Sequence, residues 1–414
     1  MGYNLFNIKE VPGVQSRRLN DFRSSLGNAV SRGNNISFAD NDITYILKLQ
    51  HNRISQKGLE LNYELYSRDD NKNKFIAGSN WRDAHYESTV CFNQCGIKRN
   101  VKKDGRTRYK DNCKGVLYET ITDVVTGVHP DNDPFSCPNC GVISTVAGLQ
   151  NGCPHCGTKF KMDDLFPKVT SYYFLDSPGM TKSEFKSGYL VSYIITVIAM
   201  YILCFILKKG IGYYIGFTIG SFILAYFLYA YYLIIKLIAG AISSAGKMGT
   251  AGSRHKFENR MKNISPEFSY EYFTSKTLSL IKTAVFSENE EKLMFYEGKK
   301  LDPKMKDIID MNYGGALGFK SLHEEGNFVT VETKAYFDVL YASNDKVFFK
   351  KQVFSATLKR RTDIPVNFNF SMTKIACPSC GASFDATENK NCPYCGNKYE
   401  ITTDDWALVE LKYN

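Results

Sequence analysis

Two long uncharged runs, separated by only two lysines, constrain this chain more than any other feature. From Gly188 to Leu207 there are twenty residues without a charge, about 30 Å of helix and so about the thickness of a bilayer core. After Lys208 and Lys209 a second uncharged run extends from Gly210 to Ile235, with tyrosines near both ends, as interfacial residues tend to be. The pattern predicts a two-helix transmembrane hairpin over 188–236, with spans at 188–207 and 211–235. The runs are internal, which argues against a cleaved signal peptide. A buried helical hairpin of a soluble core is the alternative, and two runs of this length with so short a connector disfavour it.

Gly212, Gly216 and Gly220 recur every four residues, which places them on one helix face where another helix can approach closely. That helix could be the first span or a second copy of the chain. No Asp, Glu, Arg or His lies inside either run, and intramembrane ionisable residues are what usually mark ion or proton pathways. A channel or transporter is therefore disfavoured. Both ends of a hairpin lie on one side of the membrane. Lys182 and Lys186 before it, with Lys247, Arg254, Lys256, Arg260 and Lys262 after it, outweigh the two connector lysines and predict that both soluble parts are cytoplasmic.

Cysteine spacing supplies the strongest chemical signal. Cys137-Pro-Asn-Cys140-Gly is followed by Cys153-Pro-His-Cys156-Gly, and Cys377-Pro-Ser-Cys380-Gly by Cys392-Pro-Tyr-Cys395-Gly. Two cysteines three apart in a tight turn can aim both sulfurs at one point, and two such turns supply the four thiolates of a tetrahedral zinc site. Zinc ribbons are expected at 137–157 and 377–396. Four thiolates leave no open coordination position, so the Zn2+ in both sites would be structural rather than catalytic. Redox chemistry at Cys153-Pro-His-Cys156 is the lesser alternative. Thiolate ligands need a reducing compartment, which again points to the cytoplasm. Cys91, Cys95 and Cys113, with His85 and His129 nearby, offer a weaker third metal site, and buried free thiols are the plainer reading.

The 414 residues allow two or three domains. Lys and Arg number 52 against 42 Asp and Glu, a net charge of +10, a mild excess that suits anionic lipid or nucleic acid without selecting either. Residues 1–35 read as a polar basic tail without a core pattern, and 36–177 as a strand-rich domain carrying the first ribbon. Within that domain Lys98, Arg99, Lys102, Lys103, Arg106, Arg108, Lys110 and Lys114 face only Asp104 and Asp111. Asp104-Gly105 is a hairpin turn signal. The tip is a candidate lipid- or phosphate-contact site, the bland alternative being a solvated ribbon. Nucleic acid is the less favoured partner, because only Tyr109 interleaves with the charge.

Residues 237–264 are Gly/Ala/Ser-rich and read as a linker. A helix is expected to start at the cap Ser265 and Pro266, its apolar face comprising Tyr270, Phe273, Thr277, Leu280, Ile281 and Ala284. A second helix is expected near Pro303–Asp310. In 327–341, Val329, Val331, Ala335, Phe337, Val339 and Tyr341 share one face and Glu332, Lys334 and Asp338 the other, a long half-buried antiparallel strand. A turn at Asn344-Asp345 leads into another strand, and the second ribbon precedes the closing run with Trp406. Beyond the ribbons no repeat is evident.

The order over 265–414, with the opening SPEFSYEYF, the strands VTVETKAYFDVLY and KVFFKKQVFSATL and the last strand DWALVEL, resembles the Tim-44-like domain of bacterial membrane-bound relatives of inner-membrane translocase subunit 44. Some of these carry a zinc ribbon before the closing Trp strand. The resemblance covers about a third of the chain, and Trp406 and the ribbon position are its most specific points. It implies a nuclear-transport-factor-2-like α+β cone around a pocket; the mitochondrial relative tethers a chaperone motor and contacts anionic lipid. The chain departs from the mitochondrial members in its membrane hairpin and extra ribbon domain.

The expected whole is an α+β multidomain integral membrane protein with two four-cysteine zinc ribbons, a two-helix transmembrane hairpin and a C-terminal cone. Its expected function is that of a non-enzymatic, membrane-anchored cytoplasmic platform for a protein partner, with self-association through Gly212, Gly216 and Gly220 as an option. Small-molecule binding or catalysis in the cone pocket is the first alternative, although His323 and Asp338 make poor bases. A membrane-attached nucleic-acid-binding module is the second.

Overall fold

The computed structural model describes residues 8–11, 13–68, 74–76, 81–125, 132, 134–137, 139–149, 152–159, 166–176, 182–367, 371, 373, 375–387 and 389–413. The chain forms two compact units, Ser177–Gly249 on the one hand and Met1–Asp176 with Thr250–Asn414 on the other. In the first half of the larger unit, β1 (Ile8–Glu10), α1 (Gly13–Arg32) and α2 (Asn41–Gln56) precede β2 (Leu59–Ser67), β3 (Lys74–Ile76) and β4 (Trp81–Arg82). The long hairpin β5 (Tyr86–Lys103) and β6 (Arg106–Val124) follows, then the ribbon strands β7 (Pro134–Ser136) and β8 (Ile143–Thr145), α3 (Val146–Leu149) and β9 (Lys168–Asp176).

Within the expected tail, Gly13–Arg32 is a packed helix and not a surface segment. Leu19, Phe22, Leu26, Ala29 and Val30 of α1 are all buried, and their three- and four-residue spacing makes one apolar stripe on an otherwise basic helix. A helix, α2, also lies inside the region expected to be strand-rich. Asp40 caps it by accepting from Ile43 N, and Ile43, Leu47 and Ile54 enter the same core as the α1 stripe.

In the smaller unit α4 (Lys182–Ile206) and the start of α5 (Ile211–Ile264) form the hairpin. Two segments, Phe185–Ile206 and Ile211–Ile235, are long and apolar enough to cross a membrane. Phe205 is 78% and Ile211 83% exposed, unlike the core helices of a soluble protein. The helices meet through Tyr189, whose hydroxyl donates to Phe222 O at 2.8 Å, and Tyr201, which bonds Thr218 at 2.7 Å. The expected linker at 237–264 is instead the continuation of α5. Its alanines favour helix and its glycines are too scattered to break one. Phe257 and Met261 near the end of α5 belong to the larger unit's core.

The second half continues with α6 (Tyr270–Phe286), then β10 (Ile308–Glu325), β11 (Phe328–Ser343), β12 (Lys346–Arg361), the ribbon strands β13 (Ile375–Ala376) and β14 (Ser383–Phe384), and β15 (Ala407–Tyr413). The cap of α6 is Ser269, which accepts from Tyr272 N; Ser265 instead donates to Glu267 at 2.6 Å. The helix expected near 303–310 is a single 3-10 stretch, Pro303–Asp307, because Ile308 already starts the strand. The expected face of β11 is borne out, with Val329, Val331, Ala335, Phe337 and Val339 buried.

The two halves repeat one plan, which is more than duplication of the ribbons. Each has a helix pair, a long central hairpin, a ribbon and a closing strand. In the first half β2, β3 and β4 line one edge of β5, β6 pairs its other edge, and β9 pairs β6. The second sheet runs β10-β11-β12-β15. The hairpins turn at Asp104-Gly105 and Asn344-Asp345, all four at positive φ, the backbone a tight two-residue turn requires. From first turn residue to first ribbon cysteine the spacing is 33 residues in both, 104 to 137 and 344 to 377.

The halves interlock. Ile46 of α2 joins the core of the second half, while Ile309, Leu340 and Ala342 join that of the first. Asp310 accepts from Arg99 Nη1 at 2.7 Å and from Gln50 Nε2 at 2.9 Å. Arg53 of α2 donates to the carbonyls of Val285, Phe286 and Ser287, satisfying the C-terminal end of α6 as a cation there should.

Candidate metal centres, interaction surface and cavity

All four knuckles are built alike. Gly141 N donates to Cys137 O, Gly157 N to Cys153 O, Gly381 N to Cys377 O and Gly396 N to Cys392 O, at 2.8–2.9 Å. Each glycine has φ between 71° and 75°, a left-handed conformation that glycine adopts without steric cost. The first cysteine's own N–H is also bonded, Cys137 to Val142 O and Cys377 to Ala382 O. Each turn thus pins its two sulfurs toward a shared point.

The eight expected ligands gather into two clusters, Cys137, Cys140, Cys153 and Cys156, and Cys377, Cys380, Cys392 and Cys395, with all sulfurs of a cluster within 4.8 Å. Cys137 Sγ lies 3.6 Å from Cys156 and Cys140 3.7 Å from Cys153. In the second cluster Cys377–Cys395 and Cys380–Cys392 are both 3.7 Å apart. Metal–sulfur bonds of about 2.3 Å at tetrahedral angles need sulfurs about 3.8 Å apart. The arrangement can hold a metal ion in each cluster.

Crowding divides the thiols of a cluster. Burial opposes ionisation of Cys377, yet the Cys380 and Ser379 N–H groups and the neighbouring thiols hold it down to about 6. In the same cluster Ala382 N–H favours the Cys380 thiolate, but burial and the three neighbouring sulfurs push that thiol up to about 12. Four thiolates this close repel one another unless a cation sits between them.

The buried cysteines of the second ribbon join the core of their half, whereas those of the first sit in a small cluster separate from the first-half core. Cys137 and Cys153 pack with Trp81, Phe135 and Phe166, and Cys377 and Cys392 with the cluster containing Trp406. Trp406 is 1% exposed, its ring 4.8 Å from Phe273. Strands β8 and β14 lie against each other, so the ribbons are neighbours.

The weaker third site does not assemble among the described residues. Cys91 and Cys95 are buried in the first core, where burial pushes each thiol up to about 12. Cys113 instead lies 3.6 Å from Asp111 and from Arg99. His129 falls outside the described residues.

Of the candidate phosphate contacts, Arg99 is a structural residue and not a surface one. It is 2% exposed, bonded to Asp111 and Asp310, and held firmly protonated against the cost of its burial. Lys98 pairs with Glu64 at 2.9 Å. Arg106, Arg108 and Lys110 are exposed, Lys102 half-buried. Lys103 bridges Asp345 on the other hairpin, bringing the two tips side by side. The sequence reading missed this second tip, where exposed Lys346, Lys350 and Lys351 flank Phe348 and Phe349, 44% and 41% exposed. Its signal was legible as two adjacent aromatics among lysines.

Neither catalytic candidate of the second half finds a setting. His323 is exposed near the end of β10, and Asp338 is half-buried on β11 opposite Lys351. Between α6 and the second sheet the space holds Phe273, Phe337, Phe354 and Trp406, none more than 1% exposed.

A cavity of about 100 Å³ instead lies between the halves. One wall is a stripe of α6, Tyr272, Ser275, Ser279 and Lys282; the N-terminus of α2, strands β6 and β9, and Trp81, Phe135 and Ser371 also line it. Lys276 Nζ bridges Asp405 at 2.8 Å and Asp42 at 3.7 Å.

Protein-family models, curated proteins and solved structures were compared with the chain, and none matches.

Proposed function

We propose that this chain is a zinc-stabilised, membrane-anchored cytoplasmic platform that docks a protein partner and carries no catalytic activity. The carrying observation is the pair of closed four-cysteine clusters, each packed into a hydrophobic cluster of one half of a duplicated scaffold. Four thiolates fit Zn2+ and leave no position for a substrate or a reactive water. The two apolar helices supply the anchor. The charge bias around the hairpin, with thiolate ligands in both soluble parts, supports the cytoplasmic side.

The helix-then-sheet order of the second half, closed by Trp406 and β15, is in keeping with a nuclear-transport-factor-2-like cone and with the resemblance to Tim-44-like domains. Its repetition in the first half makes the unit a pair of such domains. The adjacent basic tips, with Phe348 and Phe349 between lysines, suit contact with anionic headgroups. Nucleic acid is less favoured, since the aromatics cluster at one tip instead of forming a track.

Crosslinking in cells followed by affinity purification and mass spectrometry tests this reading, comparing the wild type with Cys377→Ser. A reproducible partner lost in the variant is the expected result. Recovery of the same proteins with both would overturn the assignment of docking to the zinc-stabilised surface.

A further inference from the structure

The cavity between the halves is lined by three carboxylates, Asp40, Asp42 and Glu271, and three lysines, Lys168, Lys276 and Lys282. Its carboxylates are already engaged. Asp42 accepts from Ser371 at 2.6 Å and faces Lys276, and Glu271 accepts from Arg254 at 3.0 Å. Asp40 is bonded to Ile43 N, and burial, then Asp42, push its carboxyl up to about 7. Asp405 is paired with Lys276.

Lys282 differs. It lies on the cavity-facing stripe of α6 with Ser275 and Ser279, and makes no ion pair among the described residues. Its ammonium stands 5.6 Å from the ring centre of Tyr172. The carboxylate acting on it from a distance is Asp310, which Arg99 and Gln50 already hold. Lys282 is half-buried, and desolvation pushes its ammonium down to about 8, as expected of a cation partly removed from water.

We propose that this cavity binds a small oxyanion, carboxylate or phosphate, on the ammonium of Lys282, with the hydroxyls of Ser275 and Ser279 as further donors. An amine in a recess beside hydroxyl groups gains most from an anion that also accepts hydrogen bonds. The hydroxyls recur at four- and three-residue spacing before Lys282, so one helix face presents all three donors. The cavity admits a ligand of several non-hydrogen atoms, which fits a free phosphate or a short organic acid. Both halves contribute to the walls, so an occupant would bridge them. The site is separate from both cysteine clusters and does not depend on the platform reading.

Calorimetric titration of the full chain in detergent, at low ionic strength, uses inorganic phosphate and succinate as separate probes. Wild type, Lys282→Arg and Lys282→Met are compared. In parallel, acetylation of Lys282 in the wild type by acetic anhydride is followed by mass spectrometry with and without each probe. We expect saturable binding of at least one probe and slower labelling of Lys282 in its presence. Affinity should fall about tenfold or more in Lys282→Met and be largely kept in Lys282→Arg. Preference between the probes assigns the oxyanion as phosphate or carboxylate. No saturable binding of either up to about 10 mM overturns the proposal, as does unprotected labelling of Lys282. The protection measurement needs no variant to fold.

Discussion

Arg99 Nη1 lies 2.7 Å from Asp310 Oδ2, a buried ion pair between β5 of the first half and β10 of the second. Arg99 also contacts Asp111 at 2.5 Å on its own hairpin, and Gln50 of α2 reaches the other oxygen of Asp310. The pair sits where Ile309, Leu340 and Ala342 enter the first core, so apolar burial and a satisfied charge network coincide at one seam.

Breaking that pair from one side leaves a buried charge behind. Arg99→Met is expected to cost about 3–5 kcal/mol of unfolding free energy, and Arg99→Met with Asp310→Leu less than the single change. Urea unfolding of the full chain, followed by fluorescence of Trp81 and Trp406, measures both. A double variant as unstable as Arg99→Met alone would show that the pair does not act as a unit.

Each four-cysteine site should be separable from the other. Wild type is expected to carry two zinc ions per chain by elemental analysis, and Cys137→Ser or Cys377→Ser one. Because zinc binding energy is folding energy, Cys137→Ser should perturb mainly Trp81, which packs with Cys137, and Cys377→Ser mainly Trp406. Fewer than two zinc ions in the wild type would refute the metal assignment.

Asp40 sets a pH dependence. Burial first, then Asp42, raise its carboxyl from 3.8 to about 7 in the folded chain. The folded state therefore holds this proton more tightly than the unfolded chain, a contribution fully present below about 4 and lost as pH rises through about 7. Asp40→Asn keeps a good cap for α2 and should remove this part of the slope between those limits. An unchanged slope in thermal unfolding across that range would count against the assignment.

The glycine stripe has a defined openness. A Cβ added at Gly212, Gly216 or Gly220 meets nothing within 4 Å, so the first span does not occupy that face. Gly216→Ile should leave the hairpin intact and weaken association of two copies by in-membrane crosslinking. Equal crosslinking in both proteins would remove the stripe as a self-association face.

Local patterns were legible because they depend on neighbours in sequence. The four knuckles need only a turn, a following glycine and two sulfurs three residues apart. The face of β11 follows from alternation, and the two apolar helices from length and absence of charge. The α1 stripe, Leu19, Phe22 and Leu26, was equally local but was masked by the surrounding arginines.

By itself the sequence determined the eight clustered cysteines, the apolar helices and the hairpin turns, since short-range geometry decides each of them. Only the tertiary structure decided that two halves with little common sequence share one plan, because strand pairing and burial tolerate many side chains at the same position. It alone decided that Arg99 is a seam residue while Arg106 is a surface one: both are arginines near one turn, and what separates them is Asp310, 211 residues away and brought close only by folding.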